Sequence, residues 1–201
     1  MPGMPAPPAA GERQTLINFL AFQQDAFLAV AYGLTDEQAR SAPAASSLSI
    51  GGLVKHVTNC QKGWTERAAH APSIPVPDAR PMEELMAEYE EQYVMREDET
   101  LPGLLEALKA QNAATLQVFA DADFDTPVPV PPHDVPWFPQ DIDHWSVRWV
   151  LLHLVEELSR HAGHADIIRE TVDGATMYEL LAAAEEWPET DWIKRWRPAS
   201  V

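Results

Sequence analysis

What most constrains this chain is the proline-free run from Val147 to Val172, where apolar side chains recur at helical steps and ionisable ones share their side. Val147, Val150, Leu154, Leu158, Ala165 and Ile168 mark one face of a predicted helix that starts near Ser146 and stops at Gly174. His153, Glu157, His161 and His164 follow at steps of four, four and three, which at ~100° per residue confines them to an arc of about 80°. On that wheel His161 falls inside the apolar face and Glu157 near its edge, with His153 and His164 further out. A carboxylate and an imidazole turned toward a core cost on the order of several kcal/mol unless something compensates them. This helix therefore needs partners to bury its stripe, and a chemical reason for its polar pair.

Partners are legible upstream. Leu16, Phe19, Leu20, Phe27, Val30 and Ala31 predict a first helix over 12–32, stopped by Gly33, with Thr35 capping a short turn after it. Ser47 or Ser49 can cap a second long helix, whose stripe is Ile50, Leu53, Val57, Cys60, Trp64 and Ala68 and whose end near His70 is enforced by Pro72. An acidic amphipathic helix follows over roughly 82–93, with its glutamates toward water. Thr100 and Pro102 open a third long helix to about Ala120, with Leu101, Leu104, Leu105, Leu108, Leu116 and Phe119 inward. Asn112 lies within that stripe and reads as a core amide, or as a group facing a pocket. Between Thr126 and Gln140 come six prolines, with Trp137 among them. That segment is either a stiff crossover strapped over one end of the bundle or one wall of a pocket. A last helix is expected over 175–187, and the tail carries Trp192 and Trp196. The expected architecture is an all-α, antiparallel four-helix bundle with extra short helices and a long proline-rich crossover loop. Its expected divisions are a disordered leader over 1–10, the bundle over 11–186, and a Trp-rich tail over 187–201 that packs on the bundle or a partner.

Composition removes several function classes. Thirty-one acidic residues against 14 Lys and Arg give a net charge of −17, which opposes nucleic acid and anionic lipid. No stretch is apolar and charge-free for long enough to span a membrane, and the proline-rich start lacks the pattern of a secretory signal. The single cysteine, Cys60, fits a reducing, cytoplasmic setting and reads as a buried, inert thiol.

The polar pair on the last long helix gains a reason if a divalent metal ion binds there. Carboxylate oxygen and neutral imidazole nitrogen are ordinary ligands, and facing helices supply the others in bundle sites. Helix two offers His56, which flanks its apolar stripe. Three protein ligands would leave positions open for water or substrate, as catalytic sites do. The plainer reading is an intrahelical ion pair of Glu157 with His161, and a lone surface histidine at 56. Spacing alone does not choose between them.

The runs LSIGGLVKHV, SVRWVL and HLVEELSRHAGHADIIRE together resemble the DinB-like superfamily of metal-binding four-helix bundles, in its actinobacterial branch. That superfamily includes mycothiol-dependent maleylpyruvate isomerases and bacillithiol or mycothiol S-transferases. By position, the resemblance implies His56, Glu157 and His161 as the metal ligands, with zinc the usual ion and nickel an alternative. It also implies mycothiol as a possible cosubstrate and a small-molecule substrate. His164 would orient a ligand or line the pocket, or else lie exposed, and His153 is placed similarly a turn before Glu157. No arginine cluster suited to a dicarboxylate is evident, which speaks against an isomerase of maleylpyruvate. Thiol S-transfer or metal-assisted hydrolysis is the implied activity, and a non-enzymatic metal-binding or stress-response protein the alternative. A homodimer is expected in either case.

Overall fold

The structure, a computed structural model, describes residues 6–74, 80–130, 139 and 141–198. Among these are seven helices and two short strands: α1 (Glu12–Val30), α2 (Asp36–Arg40), α3 (Ile50–His70), α4 (Met82–Glu91), α5 (Leu101–Asp121), β1 (Pro127–Pro129), β2 (His144–Ser146), α6 (Val147–Asp173) and α7 (Met177–Ala184). The helix starts follow local chemistry. Thr35 closes a capping box with Gln38, and the side chains of Ser49, Thr100 and Ser146 accept from Gly52, Gly103 and Trp149 N–H. Gly174 ends α6 in the left-handed conformation, φ 77°.

Helices α1, α3, α5 and α6 form the bundle, each packed most closely against two of the others. Side-chain contacts fix their directions pair by pair. Gln61 meets Asn112 and Thr65 meets Thr115, so α3 and α5 run parallel. Arg148 pairs with Glu12 and Arg169 reaches Val30, so α1 and α6 also run parallel. Across the bundle, His56 faces His161 while Trp64 faces His153, which makes α3 and α6 antiparallel. The order is up, down, down, up.

Two parallel neighbours in sequence require a lengthwise return between them, and residues 71–100, carrying α4, make it. The proline-rich segment is not that crossover. Its described ends pair as β1 and β2, in the register Pro127↔Ser146, Val128↔Trp145 and Pro129↔His144, so it leaves and re-enters at one end of the bundle. Trp137 lies outside the described residues.

The core confirms the α6 stripe in full, since all six of its named apolar residues are buried. Elsewhere the expected stripes need correction. Phe19 is 47% exposed, because the neighbours of α1 cover its other faces. Leu104, Leu105 and Leu116 are only half-buried, and polar side chains hold the centre instead. Gln24 Nε2 donates to Gln61 Oε1 at 2.7 Å, Gln61 Nε2 donates to Asn112 Oδ1 at 2.9 Å, and the hydroxyls of Thr65 and Thr115 bond at 2.9 Å. Linked amides satisfy one another without water, which is what allows them inside. At one end of the bundle the fully buried Arg169 grips Asp173 through two 3.0 Å bonds and donates to the carbonyls of Val30 and Tyr32. Trp196 lies over that guanidinium at 4.8 Å and against Gly33, whereas Trp192 is 86% exposed. The tail around them is not helical. Of the expected leader, residues 6–10 are described. Ala6 is buried and the Pro7 carbonyl accepts from Asn18 at 2.8 Å.

Gly51 and Gly52 let the crossover settle on α3. A methyl group at Gly52 would overlap the Tyr93 carbonyl, and one at Gly51 the Met95 sulfur, whereas among the described residues nothing comes within 4 Å of one at Gly63. Backbone cannot yield as a side-chain tip does. Gly52→Ala is therefore expected to lower stability by about 1–3 kcal/mol in urea titrations. Gly63→Ala in the same helix is expected to raise it by up to about 1 kcal/mol.

Candidate metal centre

The antiparallel contact of α3 and α6 brings together residues 105 apart in sequence: His56 from the first turns of α3, and Glu157 and His161 from adjacent turns of α6. The ligand atoms these three offer all lie within 4.8 Å of one another. The imidazoles of His56 and His161 meet at 4.7 Å between centroids, inclined at 68°. Glu157 lies between two histidines, with Oε2 3.6 Å from His161 Nε2 and Oε1 4.0 Å from His153 Nε2. His56 is buried, and the His161 and Glu157 side chains are 12% and 31% exposed.

Two observations fit this cluster to a cation. The buried Nδ1 atoms of His56 and His161 have no hydrogen-bond partner, a state that costs about 1–3 kcal/mol per group if nothing fills it. The electrostatics also suit ligands. Burial, helped by the neighbouring His161, pushes His56 down to about 4, so it is neutral at pH 7. The neighbouring imidazole of His161, with Nε2 3.6 Å from Oε2, holds the Glu157 carboxyl below its ordinary range, so it is anionic. A neutral imidazole and a carboxylate are the forms that bind divalent zinc and its neighbours.

The crossover roofs the cluster. Tyr93 stacks on His56 at 4.0 Å and 17°, with its hydroxyl 3.1 Å from Nε2, and Tyr89 reaches the Tyr93 hydroxyl at 3.2 Å. Burial raises the Tyr93 phenol, which stays protonated. Beside the cluster opens a cavity of about 650 Å³, lined from α3 by His56, Cys60 and Trp64, from α4 by Tyr89, and from α6 by His153 and Glu157. Pro139 and Trp145 also line it, so the proline-rich segment does contribute a wall. Burial pushes the Cys60 thiol up to about 12, which keeps it from acting as a thiolate ligand beside His56.

The remaining candidates separate. His153 is on the cavity wall, stacked on Trp149 at 5.0 Å and 12°. His164 is exposed, touches the cluster through a 5.7 Å edge contact with His161, and does not line the cavity, so of the two histidines it is His153 that faces the cavity. The helix wheel placed both outside the core face, and only the tryptophans beside His153 distinguish them. Asn112 belongs to the buried amide chain and not to the cavity. Sequence reasoning missed Tyr89 and Tyr93 altogether. Their spacing of four on an acidic helix was the available signal, and it reads equally as surface.

Titration of His56 gives a test. Its folded value, about 4, lies below the 6.5 of an unfolded imidazole, so between these the unfolded chain binds the extra proton and stability falls as pH drops. With chelator present, the unfolding free energy is expected to decline by on the order of 2–3 kcal/mol from pH 7 to pH 4. His56→Gln is expected to flatten that part of the profile, as measured by urea denaturation at each pH.

The described geometry matches what comparisons with known proteins return. A crystal structure of a conserved protein from Enterococcus faecalis superposes with a TM-score of 0.54 at 18% identity, covering 83% of this chain and 100% of that one. At such identity the likeness speaks to the fold alone. No curated protein sequence matches. The family model described as mycothiol-S-transferase matches residues 15–174, from the first turn of α1 through the end of α6. Over that span, which contains the whole bundle and its histidine–glutamate cluster, the chain belongs to the mycothiol S-transferase family of DinB-like proteins.

Proposed function

We propose that this protein is a metal-dependent thiol S-transferase that joins mycothiol to a small electrophile in the cavity between α3, α4 and α6. The observation that carries this reading is the convergence of His56, Glu157 and His161 beside a solvent-connected cavity, in a chain of the mycothiol S-transferase family. These three residues would hold the ion, zinc by preference and nickel as an alternative, since the donor set admits both. A divalent cation bound there supplies Lewis acidity, lowering the pKa of a coordinated thiol so that thiolate is present at neutral pH.

The protein's own groups supply the rest. Two imidazoles and one carboxylate leave coordination positions free, as substrate binding requires. Glu157 contributes the anionic charge, and its place beside both His153 and His161 orients it. Tyr93 and Tyr89 close the roof and limit water around His56. Cys60 remains a protonated thiol, so the protein presents no competing nucleophile of its own to the electrophile. The same reading places the enzyme in the reducing cytoplasm as a homodimer. Its single cysteine supports the first part. The exposed Phe19 and Leu152, on the neighbouring helices α1 and α6, support the second.

Purified protein is expected to bind one equivalent of zinc, with an unfolding free energy about 2.7 kcal/mol higher when free metal is 100 times Kd. His161→Ala and Glu157→Gln are each expected to weaken that binding at least about tenfold and to abolish mycothiol-dependent consumption of chlorodinitrobenzene. Stability indifferent to chelator, with no metal retained, would sink the proposal.

A further inference from the structure

Every fourth residue from Trp145 to His161 lies along one strip: Trp145, Trp149, His153, Glu157 and His161. Its character changes halfway. At one end are the groups of the metal centre. At the other, Trp145 stacks on Trp149 at 4.8 Å and 8°, and Trp149 stacks on His153 at 5.0 Å and 12°. Trp64, from α3, stands edge-on to all three rings at 5.3, 5.7 and 4.7 Å. From the facing wall α4 presents Met82 and Met86, which are 49% and 36% exposed, and Trp149 itself is 39% exposed. The exposed part of the Trp149 ring and the thioethers left to water on two sides of one cavity form an apolar slot whose burial by a ligand is favourable.

We propose that this aromatic half of the cavity is a subsite for a planar, conjugated electrophile bearing oxygen acceptors. The inference rests on the transferase reading for what happens to that molecule, and on the slot alone for its shape. A flat π system matches a column of near-parallel rings, and flexible methionines opposite adapt to its substituents. The acceptor oxygens are called for by Arg67, which lines the same cavity with its guanidinium 5.8 Å from the Trp64 ring. One turn of α6, about 6 Å, separates His153 from Glu157, so a ring resting at His153 is within reach of a sulfur held at the cluster. There the sulfur–carbon bond forms. In substitution the leaving group departs with its bonding pair. In conjugate addition the π pair moves toward the acceptor oxygen and a proton is taken up at carbon. The thiol proton passes to water in both, and no oxidant or reductant is needed.

The test uses full-length protein, chelator and no thiol, with 2,4-dinitroaniline as an unreactive planar probe followed by calorimetry. Saturable binding is expected, weakened at least about tenfold by Trp149→Ala and unchanged within about twofold by His161→Ala. Met86→Glu, which leaves every tryptophan in place, is expected to give a comparable loss and so guards against misfolding of the first variant. Absence of saturable binding, indifference to Trp149→Ala, or displacement of the probe by the sugar portion of mycothiol overturns the subsite. Probe binding of the expected kind without thiol-dependent turnover would refute the transferase and leave the subsite standing. Turnover indifferent to Trp149→Ala would do the reverse.

Discussion

Two imidazoles and a carboxylate drawn out of water are the constraint around which the bundle is organised. Helix-to-helix packing alone would fill the meeting point of α3 and α6 with leucine, as it does at Leu53, Leu154 and Leu158. Instead the site keeps His56 neutral by burial and Glu157 anionic beside the His161 imidazole, with two ring nitrogens lacking a hydrogen-bond partner among the described residues. Such an arrangement lowers the stability of the bare protein unless a bound group fills it. Surrounding structure then carries the load. The amide chain from Gln24 to Asn112 locks α1, α3 and α5 in register, and Arg169 joins the ends of α1 and α6.

Topology places the cluster under a roof. Because α3 and α5 run parallel, the chain has to travel the length of the bundle between them, and it does so across the α3–α6 groove where the histidines lie. Tyr89 and Tyr93 reach His56 as a result of that path. The two glycines ahead of His56 belong to the same device, since they admit the crossover backbone at the point where it finishes. In LSIGGLVKHV, His56 and the seat for its cover thus sit within two turns of one helix.

Much of this was legible before any coordinates. The α6 stripe, the cap at Thr35, a serine cap at 47 or 49, the helix starts at Thr100 and Ser146, and the three cluster residues as candidates follow from periodicity and local hydrogen-bonding chemistry. The family resemblance adds the metal that spacing left open against an ion pair. What was not legible depends on pairing across the fold. Gln61 and Thr65 look like surface residues of α3 until Gln24, Asn112 and Thr115 answer them from other helices. The direction of each helix pair has no local signature, so the prolines alone could not say which connection runs the length of the bundle. His153 could be told from His164 only by the tryptophans that gather round it, and two of the three lie on the same strip.

No residue of α4 is buried, yet the helix forms a wall of the cavity. Frame and wall are therefore energetically separable. Changes at Met82, Leu85 or Met86 reshape what the cavity admits while the four long helices, the amide chain and the cluster stay as they are. A chain built this way can change which molecules its cavity admits by drift on a single solvent-facing helix, without relearning how to fold.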